Sequence, residues 1–261
     1  MPVNSTKNIR LSDNSLLKFE QHDSLESTAD LAKSYANSAY PNKYVVFTQN
    51  QTGGSAYKGI ISEKQSGIFM SCILRPSFFP SQAGLLAPLA AVALLTALEE
   101  HTESKLGIGW LSDIYCNGKK IGGVNIEGKL DSFSSYEYLI VTFAVAIDEK
   151  DFPPRLNDMI RKVFESDNDS IHEIIAKTIL HKFFSVYSSL KNPAKYMDTY
   201  LRKFALTDKR IKYIKDGKKR TCRVVSVDKD TCAMTVDIGK GELIKITSPS
   251  GVVIPSKISI T

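Results

Sequence analysis

The sequence predicts an α+β protein in two parts, with strands and helices interleaved over residues 1–206 and short strands alone over 207–261. Three observations carry this. QAGLLAPLAAVALLTALEE, residues 82–100, is too long an apolar stretch for a strand and reads as a deeply buried helix. Runs rich in β-branched and aromatic residues lie on both sides of it. From about residue 209 short apolar runs alternate with turns such as Lys-Asp-Gly and Ser-Pro-Ser-Gly, the signature of five short strands and a small barrel.

The elements follow in order. SLESTADLAKSYA opens the first helix: Ser27 with Asp30 makes a capping-box-like start, and Leu31 and Tyr35 are spaced for one buried face. KYVVFTQ (43–49) and IFMSCIL (68–74) are strands, and the polar, glycine-containing NQTGGSAYKGIISEKQSG between them is long enough to suggest a functional loop. LGIGWLSDIYCNGKKIGGVNIEG and YEYLIVTFAVAI read as three strands, with a Cys-Asn-Gly-Lys turn between the first two. Ser170 with Glu173 starts SIHEIIAKTILHKFFSVYSSL, where Ile171, Ile175, Ile179, Phe183 and Val186 form one apolar stripe. His172 and His181 lie off that stripe and are expected to face solvent.

Composition narrows the classes. With 43% hydrophobic residues in 261, the chain has material for one sizeable core and a small appended domain. No apolar run approaches the roughly 18 residues that span a bilayer, and MPVNSTKNIRLSDNS lacks the apolar region of a secretory signal. The expectation is a cytoplasmic protein without membrane contact. Cys72, Cys116, Cys222 and Cys232 form no CxxC pair. Cys222 and Cys232 are spaced to face each other across a hairpin, but a cytoplasmic location favours free thiols. The four histidines show no metal-ligand spacing, so no protein-held metal is expected. A net charge of +6 suits nucleic acid, an acidic protein or phosphorylated substrates, and equally a solvated lysine-rich face; the densest cluster is Lys215, Lys218, Lys219 and Arg220.

STAD, QTGG, GWLSDIY and GKKIGGVNIE, followed by the terminal strands, form an ordered series. In that order and spacing the chain, from about residue 19 to 255, resembles the biotin protein ligase family within the wider biotin/lipoate ligase group. The resemblance implies a mixed β-sheet with packed helices followed by an SH3-like barrel. It also implies a two-step reaction: ATP and biotin, with Mg²⁺, form biotinyl-5′-AMP and pyrophosphate, and a lysine of a biotin carboxyl carrier protein then takes the biotin. The carrier belongs to acetyl-CoA carboxylase or another biotin-dependent carboxylase. Repressor members carry an N-terminal helix-turn-helix, for which the residues before about 19 leave no room, so no DNA-binding domain is expected. A homodimer is compatible with the resemblance.

The family's Ser-Thr-Asn stands here as Ser27-Thr28-Ala29, which implies that Ser27 and Thr28 lie beside the ureido ring of biotin; by themselves they read as well as a plain helix cap. The family's glycine- and arginine-rich loop opens here as Gln51-Thr52-Gly53-Gly54, which with Tyr57 is assigned to biotin. Of its arginine positions only Lys58 keeps a positive charge for the nucleotide, while Ser55, Tyr57 and Ile60 do not. Lys-Trp-Pro-Asn-Asp appears as Gly109-Trp110-Leu111-Ser112-Asp113, leaving Trp110 and Asp113 on the nucleotide side; the bare reading is a core tryptophan and a turn-capping aspartate. Gly118-Lys119-Lys120-Ile121-Gly122-Gly123 is the best-kept segment. Lys120 takes the place of the catalytic lysine, which stabilises developing negative charge, and Gly123 gives the ligand room. The alternative is a pair of solvated turn lysines. The family's Gly-x-Gly-x-Asn strand end has become Thr142-Phe143-Ala144-Val145-Ala146. Losses fall mostly on the nucleotide side, so the reading carries an alternative: a homologue that binds biotin or a partner without efficient use of ATP. Lipoate or octanoyl transfer ranks third.

Overall fold

A computed structural model describes residues 3–54, 67–147, 170–215, 217–239 and 241–260. Its larger layer is an eight-stranded sheet built from β1 (Ser5–Arg10), β2 (Leu16–His22), β3 (Tyr44–Thr48), β4 (Gly67–Leu74), β5 (Leu106–Ile108), β6 (Asp113–Cys116), β7 (Lys119–Leu130) and β8 (Tyr136–Ala146). The spatial order is β1-β2-β3-β4-β8-β7-β6-β5. Only β2 and β3 run parallel; every other neighbouring pair is antiparallel, so the sheet is mixed.

Helices cover both faces of its centre, which is why β3 and β4 are buried along their whole length and read as near-continuous apolar runs. On one face α1 (Thr28–Asn37) lays Ala32 and Ala36 over Tyr44, Val46, Ile73 and Ile140. On the other, Val45, Phe47, Met70, Cys72, Val141 and Phe143 share a core with α2 (Leu86–Glu99), α3 (Ile171–Tyr187) and α4 (Ala194–Arg202). Helix α2 buries eleven of its fourteen residues, as an apolar run without a polar face must. None of the described helices is long and apolar enough to cross a membrane.

Several elements differ from the sequence reading. β1 is an exposed polar edge strand with no alternation to reveal it. β2 buries Glu20 and His22, polar residues that break its hydrophobic pattern. Helix α4 is short and buries only Tyr196, Met197 and Tyr200. Four strands, not three, span residues 106–146, because a turn at Gly109–Ser112, with Leu111 at φ 67°, splits the first run. His172 and His181 are half-buried rather than solvent-facing, and burial lowers the His181 pKa.

After α4 come β9 (Arg210–Lys215), β10 (Lys218–Val227), β11 (Met234–Asp237), β12 (Leu243–Ile246) and β13 (Val252–Val253), five short antiparallel strands in the order β12-β11-β10-β9-β13. This small sheet is consistent with the expected barrel. Trp110 ties it to the large sheet: the ring is 4% exposed and its Nε1–H donates to the Cys232 carbonyl at 2.8 Å. Trp110→Phe keeps most of the packing but leaves that buried carbonyl unmet, so urea unfolding should show a loss of about 1–3 kcal/mol. The chain beyond β13 returns to the large sheet as a strap over the β6–β7 turn. There Lys120 N–H donates to the Ser256 carbonyl (2.8 Å), Ile258 N–H to that of Gly118 (2.7 Å), and Tyr115 Oη to that of Pro255 (2.7 Å).

All four cysteines are free and buried, and burial pushes the thiols of Cys72, Cys222 and Cys232 up. Because the thiolate is the reactive form, a chromogenic disulfide reagent should label the native protein slowly, and all four thiols promptly once urea is added.

Candidate ligand site

The start of α1 organises one half of the site. Ser27, in extended conformation at φ −153°, caps the helix by accepting from Asp30 N–H at 3.1 Å. Thr28 donates to Gln51 Oε1 twice, from its N–H at 3.0 Å and its hydroxyl at 3.1 Å. Gln51 is fixed by bridging to Leu25 in the parallel sense and by donating from Nε2 to the Gly53 carbonyl at 2.8 Å. The left-handed backbone of Gly54 (φ 80°) runs so close to the cap that an added Cβ would stand 2.9 Å from Ser27 Oγ.

Below Thr28 the sheet supplies two more hydroxyls. Ser71 Oγ donates to Thr28 Oγ1 at 3.0 Å and lies 2.9 Å from Thr142 Oγ1. Proton accounting fixes the direction. Thr28 spends its hydroxyl proton on Gln51 and Ser71 spends its own on Thr28, so Thr142 must donate to Ser71. The result is a one-way chain, Thr142 to Ser71 to Thr28 to Gln51, buried throughout. Ser71 escaped the sequence reading, and Thr142 entered it only as the replacement of a family glycine. Their signal was a lone hydroxyl inside each of two otherwise apolar strands, FMSCIL and IVTFAV.

The other half stands on β6 and β7. Lys120 Nζ forms an ion pair with Asp113 Oδ1 at 2.7 Å, both side chains about a quarter exposed. Asp113 lies opposite Gly123 in the strand register, Gly123 opposite Ala144, and Ala144 opposite Phe69. One row further on, Asn125, Thr142 and Ser71 are register partners. Cross-strand partners, and residues two apart on a strand, share a sheet face. Asp113, Gly123, Thr142 and Ser71 therefore all belong to the face that α1 covers. Three strand spacings, about 14 Å, separate the β4 and β6 columns. Glycine at 123 lets β6 approach closely, since a Cβ there would stand 2.7 Å from the Ser112 carbonyl oxygen.

Ser27, Thr28, Gln51 and Gly54 thus touch one another, while Lys120, Asp113 and Gly123 group at the far side of the same face. Trp110 joins neither group through a hydrogen bond; its indole is taken up in the packing between the two sheets. Tyr57 and Lys58 lie outside the described residues.

Comparison with known proteins bears on this arrangement. The family model for the biotin/lipoate A/B protein ligase family matches residues 22–177, more than half of the chain. The chain belongs to this family. Among family members it is similar to the bifunctional ligase/repressor BirA of Bacillus subtilis, 30% identical over 154 residues, covering 58% of this chain and 47% of BirA. It therefore spans about half the length of the curated relatives it matches. Its fold is that of a biotin protein ligase from Aquifex aeolicus, solved in the apo form (TM-score 0.63, 18% identity, 90% of this chain and 96% of that one). The biotin protein ligase from Leishmania major, solved with biotinyl-5-AMP, shares it too (TM-score 0.56, 20% identity, 88% and 98%). So does a biotin protein ligase-like protein of unknown function from Silicibacter (TM-score 0.58, 15% identity, 88% and 94%).

Proposed function

We propose that the chain is a biotin protein ligase-type enzyme that forms biotinyl-5′-AMP from biotin and ATP and passes biotin to a lysine of a biotin carboxyl carrier protein. The observation that carries this reading is the position of Lys120, half-open beside Asp113, on the sheet face shared with Gly123 and the Thr28–Gln51 pair. In this proposal Ser27, Thr28, Gln51, Gly54 and Tyr57 receive the ureido end of biotin, and Gly123 lets the ligand lie against the strand. Lys120 faces the biotin carboxylate and the α-phosphate, where negative charge develops as the carboxylate oxygen attacks phosphorus and pyrophosphate leaves. Asp113 holds that ammonium in place, and Lys58 stands on the nucleotide side; Trp110, expected there from the sequence, is instead taken up in the packing between the two sheets. Mg²⁺, which the family resemblance implies, would ride on the phosphates of incoming ATP and neutralise their charge.

A second reading is favoured by one observation. The hydroxyl chain is closed: each of its three protons already has a protein acceptor, where a ligand would need donors. Together with Thr142, Ala144 and Ala146 in place of family glycines and asparagine, this supports a homologue that binds biotin or a partner without efficient ATP use. Titration calorimetry with biotin, then ATP, followed by pyrophosphate release with a carrier domain present, separates the two. Saturable biotin binding with weak ATP binding and slow release is expected. No heat with biotin at millimolar concentration would overturn the first reading and leave of the second only partner binding, and brisk turnover at micromolar ATP would overturn the second.

A further inference from the structure

Charge is distributed unevenly along the chain. The whole sequence has 34 lysines and arginines against 28 aspartates and glutamates; residues 207–261 hold twelve and six of these, which leaves 22 of each sign for the rest. The entire net charge of +6 therefore sits on the small sheet. Most of it sits on one hairpin, since from Lys209 to Val227 eight cations stand against one acid, Asp216. Arg223 is held by Asp208 at 2.8 Å and by Asp237 at 3.3 Å, whereas Arg210, Lys212, Lys218, Lys219 and Arg220 form no ion pair among the described residues. Like charges this close repel one another, so a polyanion that neutralises them gains by binding.

The fold presents these cations on an arm. β11 pairs with β10 only over Arg223–Val227, so among the described residues no strand lies along the outer edge of Lys218–Cys222. Lys218, Lys219, Arg220 and Thr221 are all exposed. Alternate residues of a strand point to opposite faces, so neither face of this stretch is covered. Gly217, at the turn, has open space around it. Lys218 and Arg220 share one face; Lys219 shares the other with Thr221 and Thr221's register partner Lys212. A membrane or the surface of an acidic protein offers a single plane of charge and would leave the cations of one face unmet. A groove walled by phosphate on both sides meets both. A strand layer with its side chains is about 10 Å thick, and the major groove of B-form DNA, about 12 Å wide, admits a two-stranded ribbon. The deep, narrow major groove of A-form RNA does not.

We propose that the β9–β10 arm binds duplex DNA by its backbone, entering the major groove with the free edge of β10 foremost. Lys218 and Arg220 then face the phosphates of one wall, and Lys219 and Lys212 those of the other. Contacts to phosphate carry no sequence information, so binding is indifferent to sequence. The arm shares no residue with the ligand site, and the proposal therefore stands whether or not the chain is an active ligase. No bond is made or broken: the side-chain cations displace the counterions of the phosphates.

The test follows the fluorescence anisotropy of a labelled DNA duplex of arbitrary sequence as the full chain is added. A Kd of about 1–100 µM is expected at about 0.1 M salt, and with four phosphates engaged the association constant should fall with salt at a log–log slope of about −3 to −4. Lys219→Glu combined with Arg220→Glu, both exposed, should weaken binding at least about tenfold and make the slope shallower by about 2. Lys212→Glu with Lys218→Glu decides should the first variant fail to fold. Lys105→Glu with Lys195→Glu makes the same change in net charge on exposed residues away from the arm, and should weaken binding less than about threefold. Absence of saturable binding at about 200 µM protein, equal losses in the arm and control variants, or equal or tighter binding of an RNA duplex, single-stranded DNA, polyglutamate or phosphatidylserine vesicles would each overturn the proposal.

Discussion

Lys120→Ala should lower the rate of biotinyl-adenylate formation by about 10²–10³-fold, read as single-turnover pyrophosphate release. The size follows from what an ammonium does at an α-phosphate: it meets charge that is larger in the transition state than in either substrate, so its removal acts on the barrier more than on binding. Biotin affinity should also fall, because its carboxylate loses a cation. Folding should hardly change. The Lys120–Asp113 pair is partly exposed, and such pairs contribute on the order of 0–1 kcal/mol. A variant of normal stability with an unaltered rate would show that Lys120 is a turn lysine and nothing more. If wild-type release is itself barely measurable, the biotin calorimetry alone decides Lys120's role.

Gly118→Ala should have the largest effect on stability. Gly118 sits at φ 80° in the β6–β7 turn, and a Cβ there would stand 2.0 Å from the Ile258 carbonyl oxygen, which belongs to backbone and cannot swing aside. Left-handed strain and displacement of the strap should together cost about 2–4 kcal/mol by urea unfolding. Adding a Cβ at Gly217 gives the control. That turn glycine also has positive φ (71°), but open space lies around it, so Gly217→Ala should show the strain alone. Equal losses in the two variants would mean that the strap yields freely and does not fix the turn.

How far the sequence reveals this molecule depends on which signal each residue emits. Strands β3 and β4 were legible because both their faces are covered and nearly every residue is apolar. Helices α1 and α3 were legible from their caps: Ser27 and Ser170 accept from Asp30 and Glu173 as the spacing implied. β2 was not, because it buries Glu20 and His22 beside Leu17 and Phe19, which breaks the apolar alternation; the tyrosines that satisfy Glu20 meet it only in the fold. At the ligand site the residue types pointed to Ser27, Thr28, Gln51 and Gly54, and the fold brings these into contact. The pairing of Lys120 with Asp113 was hidden: seven residues apart, the two meet because a bulge between Ile114 and Tyr115 resets the register of a short hairpin. The hydroxyl chain was hidden too, since Ser71 and Thr142 become neighbours only across β4 and β8.

The strap also sets a timetable for synthesis. Lys120 leaves the ribosome well before Ser256, whose carbonyl receives its N–H, and before Ile258, whose N–H seeks the Gly118 carbonyl. At 5–20 residues per second that interval is on the order of 10 s. Throughout it the nascent hairpin presents bare amide and carbonyl groups that another extended chain could take, a hazard of any unpaired strand. A nascent chain stalled before residue 255 would hold Lys120 on a hairpin still lacking its outer partner, so the geometry around that lysine is completed only after Ser256 and Ile258 have emerged.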